Sequence, residues 1–168
     1  MTSPADNPTL TAERHGNRPA IKLDGLVLTY SELQDGARRV AALLKSKGVG
    51  SGDRVGLVLP NVPPFPVLFY GAVAIGAVVV PMNPLLKGRE VTFYLEDSGA
   101  SIVFAWKDMA QEAAKGASAA GIACVEVGLD FAETLGQHDP DQQVVDRDDD
   151  DTVVLLYTSG TTGQPKGA

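Results

Sequence analysis

The first apolar stretches, Ala20 to Leu23 and Leu26 to Leu28, flank Asp24-Gly25. That dipeptide favours the positive backbone angles of a two-residue turn, so the pattern predicts a small β-hairpin. Thr29-Tyr30-Ser31-Glu32 then has the form of a capping box, in which hydroxyl and carboxylate each satisfy a free backbone N–H, and a helix is expected to start there. Leu33, Ala37, Val40, Ala41 and Leu44 form its buried stripe, and Gly48 supplies the stop. Val55 to Leu59 is apolar on both faces, as expected of a parallel strand covered by helices, and Pro60 ends it.

Pro63, Pro64 and Pro66 suit the entry and first turn of a helix, which then runs to about Ile75 before Gly76. A buried strand follows at Ala77 to Val80. Leu86 to Asp97 carries the helical stripe Val91, Tyr94 and Leu95, with Ser98-Gly99 as its stop. Ser101 to Ala105 reads as a strand, Asp108 to Ala120 as an Ala-rich helix, and Ile122 to Val127 as another strand. Repeated β-then-α order predicts an α/β fold: a doubly wound, largely parallel sheet with flanking helices and an N-terminal β-hairpin. Such sheets bind ligands beyond the carboxyl ends of their strands.

The segments are expected to be an N-terminal lead-in (1–19), an α/β subdomain (20–136), an acidic connector (137–151), and a final strand with a loop (152–168). No internal repeat is evident. Thr152 to Tyr157 reads as one more strand, and a domain stopping just after it has the look of one cut short, because the strand's backbone groups need sheet neighbours. The chain is therefore expected to be an N-terminal piece.

Composition narrows the function classes. With 168 residues, 44% apolar and 21% charged, the chain can bury one substantial core, and its single cysteine excludes a disulfide-stapled scaffold and suits a reducing compartment. Formal charge is −7, but residues 1–84 carry 8 basic and 6 acidic groups while residues 85–168 carry 6 and 15. No basic stripe remains for a phosphate backbone, so no nucleic-acid polymer is expected as a partner. The N-terminus lacks the basic run and apolar core of a signal peptide. Val55 to Leu86 has no charge, yet its prolines confine the unbroken apolar run to Val67 to Val80, short of the roughly 18 to 20 residues a membrane span needs. No transmembrane segment and a cytoplasmic location are expected.

Residues 158–167, TSGTTGQPKG, combine three glycines, four hydroxyl side chains and one lysine behind an apolar run. Gly160, Gly163 and Gly167 let backbone N–H groups converge; Thr158, Ser159, Thr161 and Thr162 add donors; Lys166 adds positive charge. Each hydrogen bond to a phosphate oxygen contributes about 1.5 to 3 kcal/mol before solvent screening, so several together can hold a polyphosphate. The motif is not a Walker A loop, because the sixth position from Gly160 is Pro165 and Gly167 follows Lys166. By composition alone the same stretch also reads as a flexible tail.

The order of residues Tyr157-Thr158-Ser159-Gly160-Thr161-Thr162-Gly163-Gln164-Pro165-Lys166-Gly167 resembles the phosphate-loop signature of the adenylate-forming superfamily. Upstream, LTYSEL (28–33), GVGSGDRV (48–55), GAVVVPMNP (76–84) and LEDSGA (95–100) are similar to the same family, so nearly all of residues 20–168 fits. Asn83-Pro84 and the LEDSG segment resemble the fatty acyl-CoA ligase branch more than amino-acid adenylation domains. The resemblance implies an incomplete N-terminal domain of an enzyme that joins a carboxylic acid, fatty in the first instance, to the α-phosphate of ATP, releases pyrophosphate, and passes the acyl group to coenzyme A. It further implies Thr158, Ser159, Gly160, Thr161, Thr162, Gly163 and Lys166 as phosphate contacts, with Thr158 nearest the Mg2+ ion. No catalytic residue is assigned within the chain, because the family's adenine pocket, metal glutamate, acyl tunnel and essential lysine correspond to positions after Ala168. The chain alone is then expected to be inactive, since it cannot bring acid, phosphate and metal together. A homodimer and peripheral membrane attachment fit an enzyme of fatty acids, though no basic amphipathic helix supports the latter. The rival readings are an acyl-AMP ligase serving a carrier protein, an aromatic-acid:CoA ligase, and a short non-catalytic phosphate-binding protein.

Other chemistry-bearing residues have structural readings. Asp148 to Asp151 are consecutive and in an extended chain point alternately, so they read as a solvated linker rather than a Mg2+ site. Cys124, among Ile122, Ala123, Val125 and Val127, reads as a small buried residue. His15 and His138 have no partner at ligand spacing, and Phe69 and Tyr70 read as core.

Overall fold

The structure, a computed structural model, describes residues 6–148, 150–158 and 165–168. The chain divides into two compact units, one comprising Met1–Gly52, Asn61–Ala77 and Leu129–Asp151, the other Asp53–Pro60, Val78–Gly128 and Thr152–Ala168.

In the first unit, α1 (Asp6–His15) precedes the antiparallel hairpin of β1 (Pro19–Leu23) and β2 (Leu26–Thr29). Asp24 and Gly25 take φ of 46° and 84°, the turn their dipeptide predicts. The capping box then starts α2 (Tyr30–Ser46): Glu32 N donates to Thr29 Oγ1 at 3.3 Å and Thr29 N donates to Glu32 Oε2 at 2.7 Å. Those bonds hold the Glu32 carboxyl below its ordinary range, the backbone N–H of Thr29 contributing most. All five predicted stripe residues of α2 are buried. The helix packs on α3 (Pro64–Ala74), which carries its prolines in the first turn. A Cβ at Gly71 would lie 2.5 Å from Val40 Cβ, so this contact of the two helices requires a residue without a side chain.

The second unit is built on a four-stranded parallel sheet in the order β4 (Val78–Pro81), β3 (Arg54–Val58), β5 (Ala100–Trp106), β6 (Ala123–Val127). Two crossover helices, α4 (Gly88–Ser98) and α5 (Ala110–Ala120), connect its last three strands in sequence. Val58, Val80, Val103 and Ala105 of the strands share one core with Val91 and Leu95 of α4 and Ala110, Ala113 and Ala117 of α5. Fully burying one such valine or leucine contributes about 1.5 to 3 kcal/mol. The parallel sheet, flanking helices and N-terminal hairpin are the architecture the alternating pattern predicts. Among the described residues, no helix is long and apolar enough to cross a membrane.

Four details depart from expectation. Residues 6–15 are helical although only Leu10 and Ala12 are strongly apolar; Ala12 is buried and the helix packs on α2. Phe131–Leu135 forms a short helix, α6, whose two ends are buried. The helix expected from Leu86 begins at Gly88, because Asn83 Oδ1 takes the Leu85 N–H at 2.9 Å and Glu90 Oε2 takes that of Lys87 at 2.8 Å. Thr152 to Tyr157 does not form the regular strand predicted. Val154 makes a single parallel bridge to Val79, and the strand β7 is only Tyr157–Thr158, paired antiparallel with β8 (Lys166–Gly167). No residue of the run is fully buried, and Thr152 and Leu156 are exposed, Leu156 by 53%, so it lacks the two covered faces that hold β3 and β5 in the sheet.

Candidate functional site

The bridge at Val154 fixes where the Gly- and Thr-rich segment leaves the sheet. Val79 N donates to Val153 O and Leu155 N to Val79 O, both at 2.9 Å, which lays residues 153–155 parallel to the edge strand β4. Chain direction then carries Tyr157 past the carboxyl end of β4, the end at which parallel sheets bind ligands.

There the backbone turns back on itself. Leu156 and Ala168 exchange two hydrogen bonds of 2.9 and 2.8 Å, and Tyr157 faces Gly167 while Thr158 faces Lys166. Residues directly opposite in an antiparallel pair project to one face, so the Thr158 and Lys166 side chains leave the ladder on the same face, at the two ends of the connecting segment. Both residues are exposed. Of the other predicted phosphate contacts, Ser159, Gly160, Thr161, Thr162 and Gly163 lie outside the described residues.

The root of this hairpin is held from one side. Tyr157 O–H donates to Asp97 Oδ2 of α4 at 2.6 Å, and its ring centroid lies 4.3 Å from that of Tyr94 and 6.4 Å from that of Phe93. Burial and the Asp97 carboxylate together push the Tyr157 hydroxyl well above the ordinary phenol range, so it remains a donor. Gly167, assigned from sequence to the loop's backbone, has a local reason as well: a Cβ there would come within 3.1 Å of Leu155 Cδ1 and 3.3 Å of Tyr157 Cζ. Phe93, Tyr94 and Asp97 had no functional assignment from sequence; Asp97 lies in the LEDSG segment and Tyr94 in the helical stripe, and they meet Tyr157 from about 60 positions away.

Among the remaining candidates, Cys124, Phe69 and Tyr70 are half-buried rather than part of the core expected from sequence. Cys124 is a half-buried free thiol, raised above its ordinary range by burial and the neighbouring Glu126, and so is held protonated. Asp148 N donates to Asp151 Oδ2 at 2.9 Å and Arg147 pairs with the same carboxylate at 2.9 Å; Asp149 lies outside the described residues. Among the described residues no cluster of His, Cys, Asp or Glu could hold a metal ion. His15 ends α1, and His138 offers its backbone carbonyl to Arg39. Phe69 and Tyr70 meet edge to face at 5.4 Å.

Known proteins resemble this chain along nearly its whole length. The long-chain-fatty-acid–CoA ligase FadD13 of Mycobacterium tuberculosis is 40% identical over 144 residues, covering 83% of this chain and 29% of that protein. A feruloyl-CoA synthase of an Amycolatopsis species is 38% identical over 162 residues, covering 96% of this chain and 30% of that protein. The inhibitor-bound N-terminal domain of FACL13 from M. tuberculosis matches in structure with a TM-score of 0.87 at 34% identity, over 99% of this chain and 44% of that one. The chain thus spans under a third of the length of these two curated relatives. A family model described as "AMP-binding enzyme" matches residues 9–168, and the chain belongs to that family.

Proposed function

We propose that this chain is the phosphate-gripping N-terminal part of an ATP-dependent fatty acid:CoA ligase acting in the cytoplasm. The observation that carries this reading is the register that sets exposed Thr158 opposite exposed Lys166 across the ends of residues 159–165. Two glycines and three further hydroxyl residues lie between them in sequence.

A hydroxyl donor beside an ammonium suits the oxygens of a polyphosphate. In this reading Lys166 neutralises the β- and γ-phosphates, Thr158 lies nearest a Mg2+ ion carried by the nucleotide, and Ser159, Gly160, Thr161, Thr162 and Gly163 complete the grip. The bound ion supplies charge stabilisation to the departing pyrophosphate. Lys166 supplies the chain's own share of the same stabilisation, because the ladder with Thr158 holds its backbone in register before pyrophosphate leaves. In the overall reaction a carboxylate oxygen bonds to the α-phosphorus as the bond to pyrophosphate breaks. The coenzyme A sulfur then bonds to the acyl carbon as AMP departs. The fatty acid is favoured by the likeness to FadD13, and the nearly equal identity to a feruloyl-CoA synthase supports an aromatic acid as the second reading.

Pyrophosphate release by the full gene product, measured with ATP against a panel of fatty and aromatic acids, tests the proposal. Fatty acids are expected to give release, with thioester formed when coenzyme A is added, while the 168 residues alone give none. Preference for hydroxycinnamic acids would replace the first reading by the second, and silence with every acid would overturn both.

A further inference from the structure

Residues 159–163 can act only if the ends of their segment are held in place. At that root the Tyr157 hydroxyl donates to Asp97 Oδ2 at 2.6 Å. Tyr157 immediately precedes Thr158, so whatever fixes its ring also fixes where the segment departs.

Asp97 is well placed for this. It lies in the last turn of α4, whose Val91 and Leu95 are fully buried in the core shared with α5 and the sheet. Tyr94, one turn earlier on the same face of the helix, packs its ring against that of Tyr157 at a tilt of 45°, so hydroxyl and ring are gripped by residues three apart on one rigid element. A phenol donating to a carboxylate makes a short, charge-assisted hydrogen bond. Across the ladder, Gly167 leaves room for the same ring, and Lys166 follows from that register.

We propose that Asp97 is a positioning residue for nucleotide binding: through Tyr157 it sets the register of the hairpin that carries Thr158 and Lys166. The inference rests on reading that hairpin as the phosphate grip. Asp97 touches no substrate. Its effect is confined to the partner of the hairpin, so it acts on ATP and leaves recognition of the acid and of coenzyme A unchanged.

Steady-state kinetics of the full gene product, with amide hydrogen exchange of the 155–168 segment in the absence of nucleotide, tests this. Asp97→Ala and Tyr157→Phe should each raise KM for ATP about fivefold, the scale of one hydrogen bond to a charged group partly open to solvent. The double variant should be no worse than the more affected single one. Asp97→Asn, which keeps an acceptor oxygen, should restore most of the affinity. KM for the acid should not move, and the 155–168 amides should exchange faster in Asp97→Ala. A merely structural role for Asp97 would raise all three KM values together, which overturns the proposal, as would an unchanged KM for ATP or additive single effects. A wild-type protein that releases no pyrophosphate with any acid sinks the ligase reading and this inference with it. Release with an ATP KM indifferent to Asp97 sinks this inference alone.

Discussion

Residues 137–151 and residues 158–167 both read as linkers by composition, one acidic and the other rich in glycine and hydroxyls. Structure separates them by what happens to their polar groups. Among its described residues the connector has no helix or strand, yet it is fastened at several points: Arg39 donates to His138 O at 2.8 Å, Asp141 N to Arg38 O at 3.1 Å, Val145 N to Ala74 O at 2.8 Å, and Arg147 to Ser51 Oγ at 2.7 Å. Lys45 and Asp141 add an ion pair. Asp141, Arg147 and Asp151 are used in fastening. The hairpin is fastened too, but by backbone bonds and the apolar ring of Tyr157, while Thr158 and Lys166 remain exposed. A segment whose charges are spent on its own fold is a strap; one that is clamped by other groups and keeps its charge outward can bind a ligand.

That contrast breaks first, if it breaks at all, at Lys166. Lys166→Ala removes an exposed charge, so stability should stay within about 0.5 kcal/mol, the usual range for surface substitutions. In the ligase reading kcat/KM for ATP should fall about 100-fold, the scale seen when one donor to a developing anion is removed. Urea unfolding beside pyrophosphate release checks both. A large loss of stability with unchanged turnover would make the hairpin another strap.

Asp141 is the converse case. Burial pushes its carboxyl up, but hydrogen bonds from Lys45 and from the Gln143 N–H outweigh that and hold it below its ordinary value of 3.8. Asp141→Ala should cost about 1 kcal/mol, the scale of one partly screened charged hydrogen bond, and leave the KM for ATP unchanged. The sign of the pH dependence follows from the lowered value. The contribution is complete above the unfolded carboxyl's pKa and is lost as pH falls through the lower folded one. Urea titrations of wild type and variant should therefore differ at pH 7 and converge on acidification below that range.

Sequence legibility follows the same division between near and distant partners. The turn at Asp24-Gly25, the Thr29–Glu32 cap and the Leu33-to-Leu44 stripe are decided by residues within a few positions of each other, and each forms as predicted. The α1 helix was missed because its stability comes from packing on α2 rather than from an apolar stripe of its own. The strand over 152–157 was over-read, because an apolar run reports hydrophobicity and not the number of neighbours available to it. For the candidate site, the motif supplied residue types, and the pairing of Thr158 with Lys166 came only with the hairpin register. Asp97 was invisible as a partner, since nothing at position 97 announces a tyrosine 60 residues later.

The smallest expected effect sharpens the comparison within the strap itself. Arg147 links the Ser51 hydroxyl to the Asp151 carboxylate, with the arginine 20% and the aspartate 38% exposed. Arg147→Gln should cost about 0.5 kcal/mol, because a pair this open gains little from Coulomb attraction and loses part of that to screening. Raising salt should shrink the cost further, since ions screen exposed charges over about 10 Å at 0.1 M. Thermal unfolding of wild type and variant at low and high salt reads the difference. A cost that instead persisted in high salt would locate the strap's hold in the hydrogen bond to the uncharged Ser51 hydroxyl rather than in the ion pair with Asp151.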